Sequence, residues 1–452
     1  MFLFEKIPSV VYSFAAEFEK NGFACYPVGG AVRDLLLGKR PTDFDFTTDA
    51  RPEAVMKMFR SVIPTGIRHG TVTVLYKKQS FEVTSFRSEE SYSDGRHPDR
   101  VSFDCTLEED LKRRDFTINA LALDLEKRKI VDLFDGRGDL KRGIIRCIGD
   151  PAERFREDAL RLLRAARFAS RLSFSIEGQT AEAMKRLAET VSRISVERIR
   201  DEIMKIMTSP RPSVGLEILR KSGILAVILP EIIPCIGFEQ NEYHRFDVYN
   251  HLLKACDYLP SESPLMRLTA LLHDIGKPQS YALRDGRRTF YRHEQISADM
   301  ADAILHRLKF SNNEIESVLF FIRNHMIHYT SEWSDSAVRR FMANVPAERR
   351  RNFFALKEAD AFAHEGIVPD PSTQKEFLDR IEKCEAQNAA LSLKDLAVNG
   401  NDLAAAGFPK TPQMGKILKI LLEAVLDDPE MNTKEKLLKL AINYQKEFMP
   451  ES

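Results

Sequence analysis

The sequence has little of what marks a disulfide-rich, membrane-bound or strongly charged protein. Its six cysteines lie far apart with no C-x-x-C pair, which fits buried thiols in a reducing compartment better than a disulfide framework or a zinc site. No stretch approaches about 18 uninterrupted apolar residues and the chain has no basic start, so we expect no membrane span or signal peptide. The formal net charge is zero, so the whole-chain balance does not indicate nucleic-acid binding, and any such contact would have to come from a local patch. We therefore expect a cytoplasmic protein.

The patterns that are present predict two unlike halves. A chain of 452 residues exceeds a single core, and 43% hydrophobic with 30% charged residues is typical of a soluble globular protein. Strands are predicted over residues 23–28, 44–47, 71–76, 81–86 and 130–133. After Asp150-Pro151 apolar residues recur at three- and four-residue spacing to the end, which predicts helices only. The predicted fold class is α+β, a small α/β head followed by an extended helical part.

Two carboxylates follow a glycine turn near the N-terminus. Residues 29–34 read GGAVRD and residues 43–46 read DFDF. Alternate side chains of a strand share a face, so Asp43 and Asp45 point together, with Cα atoms about 6.5–7 Å apart. Such a pair can hold two Mg²⁺ ions for phosphoryl or nucleotidyl transfer. The alternative is the solvent-facing side of an ordinary edge strand.

Four motifs in a fixed order carry a family resemblance. The segments are GGAVRDLLLG (29–38) with PTDFD (41–45), RRDFTINA (113–120), DLFDG (132–136) and RFREDALR (154–161). Motif by motif, they resemble the class II tRNA nucleotidyltransferase and poly(A) polymerase family. Members of that family add nucleotides to RNA 3′ ends without a nucleic-acid template. The resemblance implies a head that holds the metals, followed by neck, body and tail helices that run along the RNA.

The resemblance also implies roles for individual residues. Asp43 and Asp45 would hold Mg²⁺, and Glu82 would be a third catalytic carboxylate beside them or, alternatively, an exposed strand residue. Arg33 would clamp the triphosphate or form a structural ion pair. The expected nucleotide-binding residues are Gly29, Gly30, Arg33, Arg114, Asp115, Asn119, Asp158, Arg161, Arg164 and Arg167.

Asp158 and Arg161 lie three residues apart on one face of a predicted helix. A carboxylate only accepts hydrogen bonds and a guanidinium only donates them, so the pair suits the amine donor and ring-nitrogen acceptor of cytosine and adenine. Guanine and uracil present the reverse pattern. The resemblance implies that this pair replaces a template, and the alternative is an intrahelical salt bridge. Residues 151–171 carry six arginines against three carboxylates, the local basic patch that RNA would need.

Two less specific matches extend the resemblance. Residues 91–98 (SYSDGRHP) resemble the flexible loop of enzymes that complete CCA, or form an ordinary surface loop. Residues 400–418 resemble the family's tail, which contacts the outer part of tRNA by shape and phosphate.

A second group of candidate metal ligands lies in the helical half. Residues 271–278 read LLHDIGKP, an apolar helix that ends beside an adjacent His and Asp. The spacing of the ligand types resembles the HD phosphohydrolase superfamily. The resemblance implies a core site of His251, His273, Asp274 and Asp360, with His293 and His325 binding a second metal or phosphate. The expected ions are Mn²⁺, Ni²⁺ or Mg²⁺, and the expected substrates are 2′,3′-cyclic phosphates or phosphates on damaged RNA ends.

These observations together predict an enzyme that builds or repairs the CCA end of tRNA from CTP and ATP, as a monomer or homodimer. Its predicted units are the head (1–146), neck (147–235), HD domain (236–370) and tRNA-binding tail (371–452). One alternative is an enzyme that adds only CC or only A. A poly(A) polymerase is disfavoured because the sequence ends without a Lys/Arg run. A metal-dependent phosphohydrolase with an RNA-binding head is the alternative from another class.

Overall fold

The head is built on a mixed sheet. A computed structural model of the chain describes residues 2–90, 100–242, 244–386 and 390–448, so the predicted CCA loop at 91–98 lies outside the described residues. The strands are β1 (Cys25–Val28), β2 (Asp45–Thr48), β3 (Val62–Gly66), β4 (Thr71–Tyr76), β5 (Gln79–Ser85), β6 (Ser88–Glu90), β7 (Arg100–Ser102), β8 (Leu121–Asp124), β9 (Lys129–Asp132), β10 (Ile144–Ile145), β11 (Ser175–Ile176), β12 (Tyr281–Arg284) and β13 (Arg287–Phe290).

Seven of these strands form the main sheet, in the order β3-β4-β5-β2-β1-β8-β9. All neighbours run antiparallel except β2 and β5, which are parallel. Alternate residues of each strand point to opposite faces of the sheet. In β4, Val72 and Val74 are buried. In β5, Phe81 and Val83 are buried, while Glu82 between them is exposed. The sheet therefore has an apolar face and a polar face.

The five predicted strands are present, with ends shifted by up to two residues in all but β4. Of the seven strands of the main sheet, β3 and β8 were not predicted. The expectation that only helices follow residue 150 was wrong, because β12 and β13 form an antiparallel hairpin in the body. The hairpin turns at Asp285-Gly286, where both residues have positive φ. Asp-Gly is a typical hairpin turn, but the helical periodicity of the surrounding sequence outweighed this signal in the prediction.

Helices make up most of the remaining chain. They are α1 (Phe2–Glu5), α2 (Ser9–Lys20), α3 (Gly30–Leu36), α4 (Pro52–Met58), α5 (Leu107–Lys112), α6 (Gly136–Arg142), α7 (Pro151–Glu157), α8 (Leu160–Leu172), α9 (Gly178–Arg186), α10 (Val196–Met207), α11 (Pro212–Lys221), α12 (Ile224–Ile228), α13 (Val248–Tyr258), α14 (Pro264–Leu272), α15 (Lys277–Ser280), α16 (His293–Arg307), α17 (Asn312–Asn324), α18 (Asp335–Asn344), α19 (Ala347–Glu365), α20 (Ser372–Ala386), α21 (Gly400–Ala405), α22 (Pro412–Asp427) and α23 (Lys434–Phe448). Short 3₁₀ turns occupy Ile67–His69, Thr117–Asn119, Ala188–Arg193, Pro230–Cys235 and Pro429–Met431.

One large apolar core runs from the head through the helical body as far as Cys384. A separate core, from Ala390 to Ala441, holds the C-terminal helices together. Helix α20 packs Phe377 and Ile381 into the body core. The predicted borders of the four units stay predictions. All six cysteines are free thiols, as their spacing predicted.

Among the helices of the described residues, none combines the length and the apolarity that crossing a bilayer demands.

Candidate active site

Two carboxylates, Asp45 and Glu82, lie side by side on the polar face of the head sheet, and Asp43 is near enough to act on the charge of Asp45. Asp45 begins β2 and is the register partner of Glu82 on the parallel strand β5. Asp43 lies two residues before Asp45, just ahead of the strand rather than within it as predicted. All three side chains are exposed, while Phe44 and Phe46 are buried on the other side. The alternation rule therefore held, and β5 supplies the third carboxylate through strand register.

The carboxylates repel one another. Partial burial, then the charges of Glu82 and Asp43, raise the pKa of Asp45, against the lowering effect of Arg114. Carboxylates that repel one another in their ionised form suit a divalent cation, because the charge of the cation would relieve the repulsion. The donor set, all carboxylate oxygens, is the one that Mg²⁺ prefers.

The glycine turn brings an arginine close to these carboxylates. Gly29 precedes α3 with φ 68° and ψ −127°, a conformation that glycine adopts without strain. A Cβ at Gly29 would stand 3.2 Å from Nη1 of Arg114, so the missing side chain leaves room for the guanidinium. Arg114 in turn pairs with the fully buried Asp110, at 3.3 Å. The turn thus presents a fixed positive charge beside the carboxylates.

A continuous polar network crosses the floor of the site. Arg33 is buried, pairs with Asp34 and donates from Nη1 to Oδ1 of Asn119 at 2.8 Å. Asn119 donates to Oδ1 of Asp115 at 3.0 Å, and Oδ2 of Asp115 accepts from Arg164 at 2.8 and 2.5 Å. Arg33 therefore forms the structural ion pair that was its alternative role, although it still lines the cavity.

Asp115 is held as a carboxylate in this network. Burial alone would raise its pKa, but the charge of Arg164 and hydrogen bonds from Asn119 and Arg164 lower the pKa to about 2. Asn119 and Asp115 were both predicted to bind the nucleotide. Both are buried, and each is already engaged by a neighbouring residue.

The predicted helix that carries Asp158 and Arg161 is interrupted, which corrects the expectation of a shared helical face. Helix α7 ends at Glu157, Asp158 has extended backbone (φ −143°, ψ 103°), and α8 begins at Leu160. Arg161 pairs with Glu157 at 2.5 Å, and Asp158 accepts from the Leu160 amide. Asp158 and Arg161 nevertheless both line the same cavity, one from the break and one from the next helix.

Helix α10 holds this segment from the other side, which the sequence analysis missed. Arg198 lies 3.3 Å from Asp158, and Glu202, one turn further along, lies 3.1 Å from Nε of Arg167. Burial and the neighbouring Arg164 lower the pKa of Arg167 to about 10. No local motif marks Arg198, because its partner is forty residues away in sequence and the contact exists only after α8 and α10 pack together.

These groups surround one cavity of about 640 Å³ between the head and the neck. Its size is within the range of small-molecule sites. All the predicted head residues line it except Asp43, and arginines dominate its wall. The lining residues that carry polar function are Gly29, Gly30, Arg33, Asp45, Glu82, Arg113, Arg114, Asp115, Asn119, Asp158, Arg161, Arg164, Arg167, Arg171 and Arg198.

The second predicted site also assembles. Oδ2 of Asp274 lies 3.3 Å from Nε2 of both His251 and His273. Its other oxygen, Oδ1, lies 3.0 Å from Nε2 of His293 and 3.4 Å from Nε2 of His325. Asp360 joins the first pair, with Oδ1 3.2 Å from His251. One carboxylate thus faces two histidine pairs.

Three of the four predicted histidine ligands have their rings oriented by a backbone carbonyl, as is common for metal-binding histidines. Nδ1 of His273, His293 and His325 lies 2.7–2.8 Å from a backbone carbonyl three residues earlier. A carbonyl only accepts, so Nδ1 of each ring carries a proton, and Nε2 is the nitrogen that faces the carboxylates and could bind an ion. The Nε2 atoms of His251 and His273 stand 3.2 Å apart, as do those of His293 and His325, which is a separation that two ligands about 2.1 Å from one ion could have.

Charge and burial in this cluster also fit a cation. Burial alone would raise the pKa of Asp274, but His273, Lys277 and His293 lower it well below its ordinary value. Its Oδ1 is buried and receives no hydrogen bond, although His293 lies within ion-pair distance. Ligands of this kind, imidazole with carboxylate, suit divalent transition metals.

Two further histidines, His244 and His364, border this cluster and were not predicted. His364 follows Asp360 by four residues on α19 and lies 3.5 Å from its Oδ1, so helical spacing could have identified it. His244 precedes α13, and its ring centroid is 4.2 Å from that of His364. A cavity of about 420 Å³ opens onto the cluster and is lined by both residues.

Comparisons with known proteins identify relatives over most of the chain. The Poly A polymerase head domain profile matches residues 25–146, the "Probable RNA and SrmB- binding site of polymerase A" matches 173–236, and tRNA nucleotidyltransferase domain 2 matches 290–441. The CCA-adding enzyme of Lactobacillus delbrueckii subsp. bulgaricus is 36% identical over 416 residues, 92% of each chain. That of Lactobacillus gasseri is 49% identical over 406 residues, 90% of each chain. The crystal structure of the Bacillus stearothermophilus CCA-adding enzyme in complex with CTP aligns over 97% of each chain, with 28% identity and a TM-score of 0.71.

Proposed function

This chain belongs to the family of CCA-adding enzymes, and we propose that it adds C, C and A in turn to tRNA 3′ ends from CTP and ATP. The observation that carries the proposal is one cavity in which the carboxylates of β2 and β5 face the arginines and Asp158 of the neck. The residues proposed to bind metal and those proposed to select the base thus line the same cavity. An enzyme that adds only CC or only A remains the alternative, because it would use the same groups.

The head residues divide into two tasks. Asp43, Asp45 and Glu82 would hold Mg²⁺. When bound, such ions acidify the RNA 3′-hydroxyl for attack on the α-phosphate and neutralise the departing pyrophosphate. Arg114, beside the Gly29 turn, would bind the triphosphate, because a guanidinium offers paired donors to phosphate oxygens.

The neck residues would select the base. Asp158 would accept from the exocyclic amine of cytosine or adenine, and Arg161 would donate to the adjacent ring nitrogen. Arg161 is fixed by Glu157, and Asp158 by Arg198, so neither group must be ordered when the nucleotide binds. Arg164 and Asp115 would support the ribose end of the nucleotide through the network that includes Asn119.

The partner that this proposal requires is tRNA. The basic segment 151–171 provides charge beside the cavity, and the C-terminal helices, with a core of their own, would contact the outer part of tRNA. The test is extension of tRNA ending at the discriminator base, at C and at CC, each with CTP, ATP or both. Growth to CCA from all three supports the proposal. Stopping at CC, or accepting only the CC end, would assign a split function, and long A tails would assign a poly(A) polymerase.

A second function is favoured by the geometry of the histidine–aspartate cluster. We propose that His251, His273, Asp274 and Asp360, with His293 and His325, hold Mn²⁺, Ni²⁺ or Mg²⁺ and hydrolyse phosphoesters such as 2′,3′-cyclic phosphates or phosphates on RNA ends. Bound metals would supply hydroxide at neutral pH and polarise the phosphoryl oxygens. The supporting observation is that Asp274 faces two histidine pairs with one oxygen each. Purified protein without bound metal, and without hydrolysis in added Mn²⁺ or Ni²⁺, would overturn this proposal.

A further inference from the structure

The β12–β13 hairpin stands over the histidine–aspartate cavity. Phe290 ends β13 and lines the cavity together with Tyr291, the next residue. His293 follows two residues later and belongs to the proposed metal cluster. Two aromatic residues that line the cavity, Phe290 and Tyr291, are therefore close in sequence to a proposed metal ligand. Phe238 of the body packs against Tyr281 and Phe290, which fixes the hairpin in place.

Tyr291 is a large aromatic residue that lines the cavity and yet is mostly exposed to solvent. Its side chain is 63% exposed although it lines a cavity, and the Arg284 guanidinium lies 4.6 Å from its ring centroid. Met326, also more than half exposed, lines the same cavity. Exposed aromatic rings with stacked arginines are the surfaces on which single-stranded RNA bases stack.

The charges around the ring suit a phosphate-bearing strand. Arg284 stacks on Tyr291, and Arg292, the next residue after it, is exposed. Lys357 lines the same cavity nearer the cluster, where it donates to the His325 carbonyl. A nucleotide with its phosphate at the cluster and its base at the rim would thus meet positive charge along its backbone.

We infer that Tyr291 is the stacking platform for the terminal base of a single RNA strand whose terminal phosphate is hydrolysed at the histidine–aspartate cluster. The inference rests on the proposed hydrolase function and names its substrate as an RNA end rather than a free nucleotide. In the reaction, water forms a new bond to phosphorus, one P–O bond breaks, and the leaving ribose oxygen takes a proton. The platform is open to solvent, so the strand can continue outward from its terminal nucleotide.

The test compares two short RNAs of one sequence that end in a 2′,3′-cyclic phosphate, one of them with an abasic terminal nucleotide, in the presence of Mn²⁺. Because one stacked base contributes about 1–3 kcal/mol, Tyr291→Ala should lower kcat/KM about tenfold on the intact RNA, mainly through KM. It should leave the abasic RNA unaffected, and Tyr291→Trp should restore the rate. Leu283→Ala is the matched control, because Leu283 lies in the same hairpin with the same 63% exposure and is outside the cavity lining.

A readout independent of turnover separates this inference from the hydrolase proposal. The same RNA carrying 4-thiouridine as its terminal nucleotide is cross-linked to the full-length protein and mapped by mass spectrometry. A cross-link in residues 281–293, lost in Tyr291→Ala, supports the platform even if no hydrolysis occurs. Cross-links confined to the head cavity, or equal losses on intact and abasic RNA in Tyr291→Ala, would overturn it. Equal turnover of the RNA and of a free 2′,3′-cyclic mononucleotide would assign the site to free nucleotides instead.

Discussion

Asp45 stands beside Glu82, because the two residues are register partners on the parallel strands β2 and β5. They are the only parallel neighbours in the main sheet of the described chain, so two carboxylates distant in sequence reach one spot. Asp43 completes the group from the segment before β2. This group is the part of the molecule on which nucleotide addition should depend most steeply.

Asp45→Asn should abolish most nucleotide addition. Losing a carboxylate that would hold metal removes several kcal/mol of transition-state stabilisation, so the rate should fall on the order of 10³-fold. The measurement is single-turnover CMP addition to tRNA with Mg²⁺, alongside tRNA binding, which should be kept. Glu53→Gln, an exposed carboxylate change on α4 of the same head, is the control. A fall of less than fivefold in Asp45→Asn would contradict the role given to this carboxylate.

Asp158→Asn should relax base selection. The asparagine amide donates hydrogen bonds as well as accepting them, whereas the carboxylate only accepts. Uracil therefore gains a donor for its own acceptor, and cytosine loses one of the two oxygens that could accept from its amine. The ratio of kcat/KM for CTP to kcat/KM for UTP should fall roughly 5- to 150-fold, which corresponds to a loss of about 1–3 kcal/mol of discrimination. Extension of tRNA with each single NTP measures the ratio. An unchanged ratio, with a general loss of rate, would mean that Asp158 supports the fold and does not read the base.

Arg198→Ala should weaken nucleotide binding more than it slows chemistry. Arg198 orients Asp158 across 3.3 Å from α10 and lies outside the metal group, so KM for CTP should rise about tenfold while kcat changes less. Arg198→Lys should recover part of the loss. Arg200→Ala is the control, since Arg200 sits on the same helix but bonds to Asp201 and the Lys309 carbonyl. Equal effects of the two alanine variants would contradict the positioning role.

His273→Ala should separate the two proposed activities. The change removes one ligand from the histidine–aspartate cluster, so bound metal and phosphoester hydrolysis should be lost while CCA addition is retained. Elemental analysis of the purified protein and both assays measure the outcome. The control is His306→Ala, which alters an exposed histidine on α16. Full hydrolysis by His273→Ala would rule out this cluster as the hydrolytic site.

Acid should weaken the protein partly through Asp115. Its pKa is lowered from 3.8 to about 2 by Arg164 and Asn119 in spite of its burial, so the folded state favours the carboxylate. The stabilisation, about 2 kcal/mol, is present above pH 4 and is lost as the pH falls toward 2. The Tm difference between wild type and Asp115→Asn should therefore shrink between pH 5 and pH 3. A constant difference over that range would contradict this ionisation.

The sequence was most informative where chemistry depends on neighbouring residues. Alternation correctly predicted that Asp43 and Asp45 are exposed while Phe44 between them is buried, and six residues of the histidine–aspartate cluster could be named from the sequence, although His244 and His364 were not predicted. Helical periodicity alone could not show the break at Asp158, because the residues on either side still form helices.

The contact between Arg198 and Asp158 could not be predicted from the sequence. Arg198 meets Asp158 only because α8 packs on α10, and no local pattern encodes that packing. The β12–β13 hairpin was missed because four-residue strands are short against the helices that flank them. Its turn residues, Asp285-Gly286, were the available signal.

The central claim is tested most directly by the sequence of the added nucleotides. A tRNA ending at its discriminator base is incubated with the protein, Mg²⁺ and all four NTPs, and the extended 3′ ends are sequenced. The account predicts products that end in CCA and grow no further, with U and G absent although present in excess. Products that stop at CC, tails of A alone, or mixed nucleotides at the added positions would contradict it.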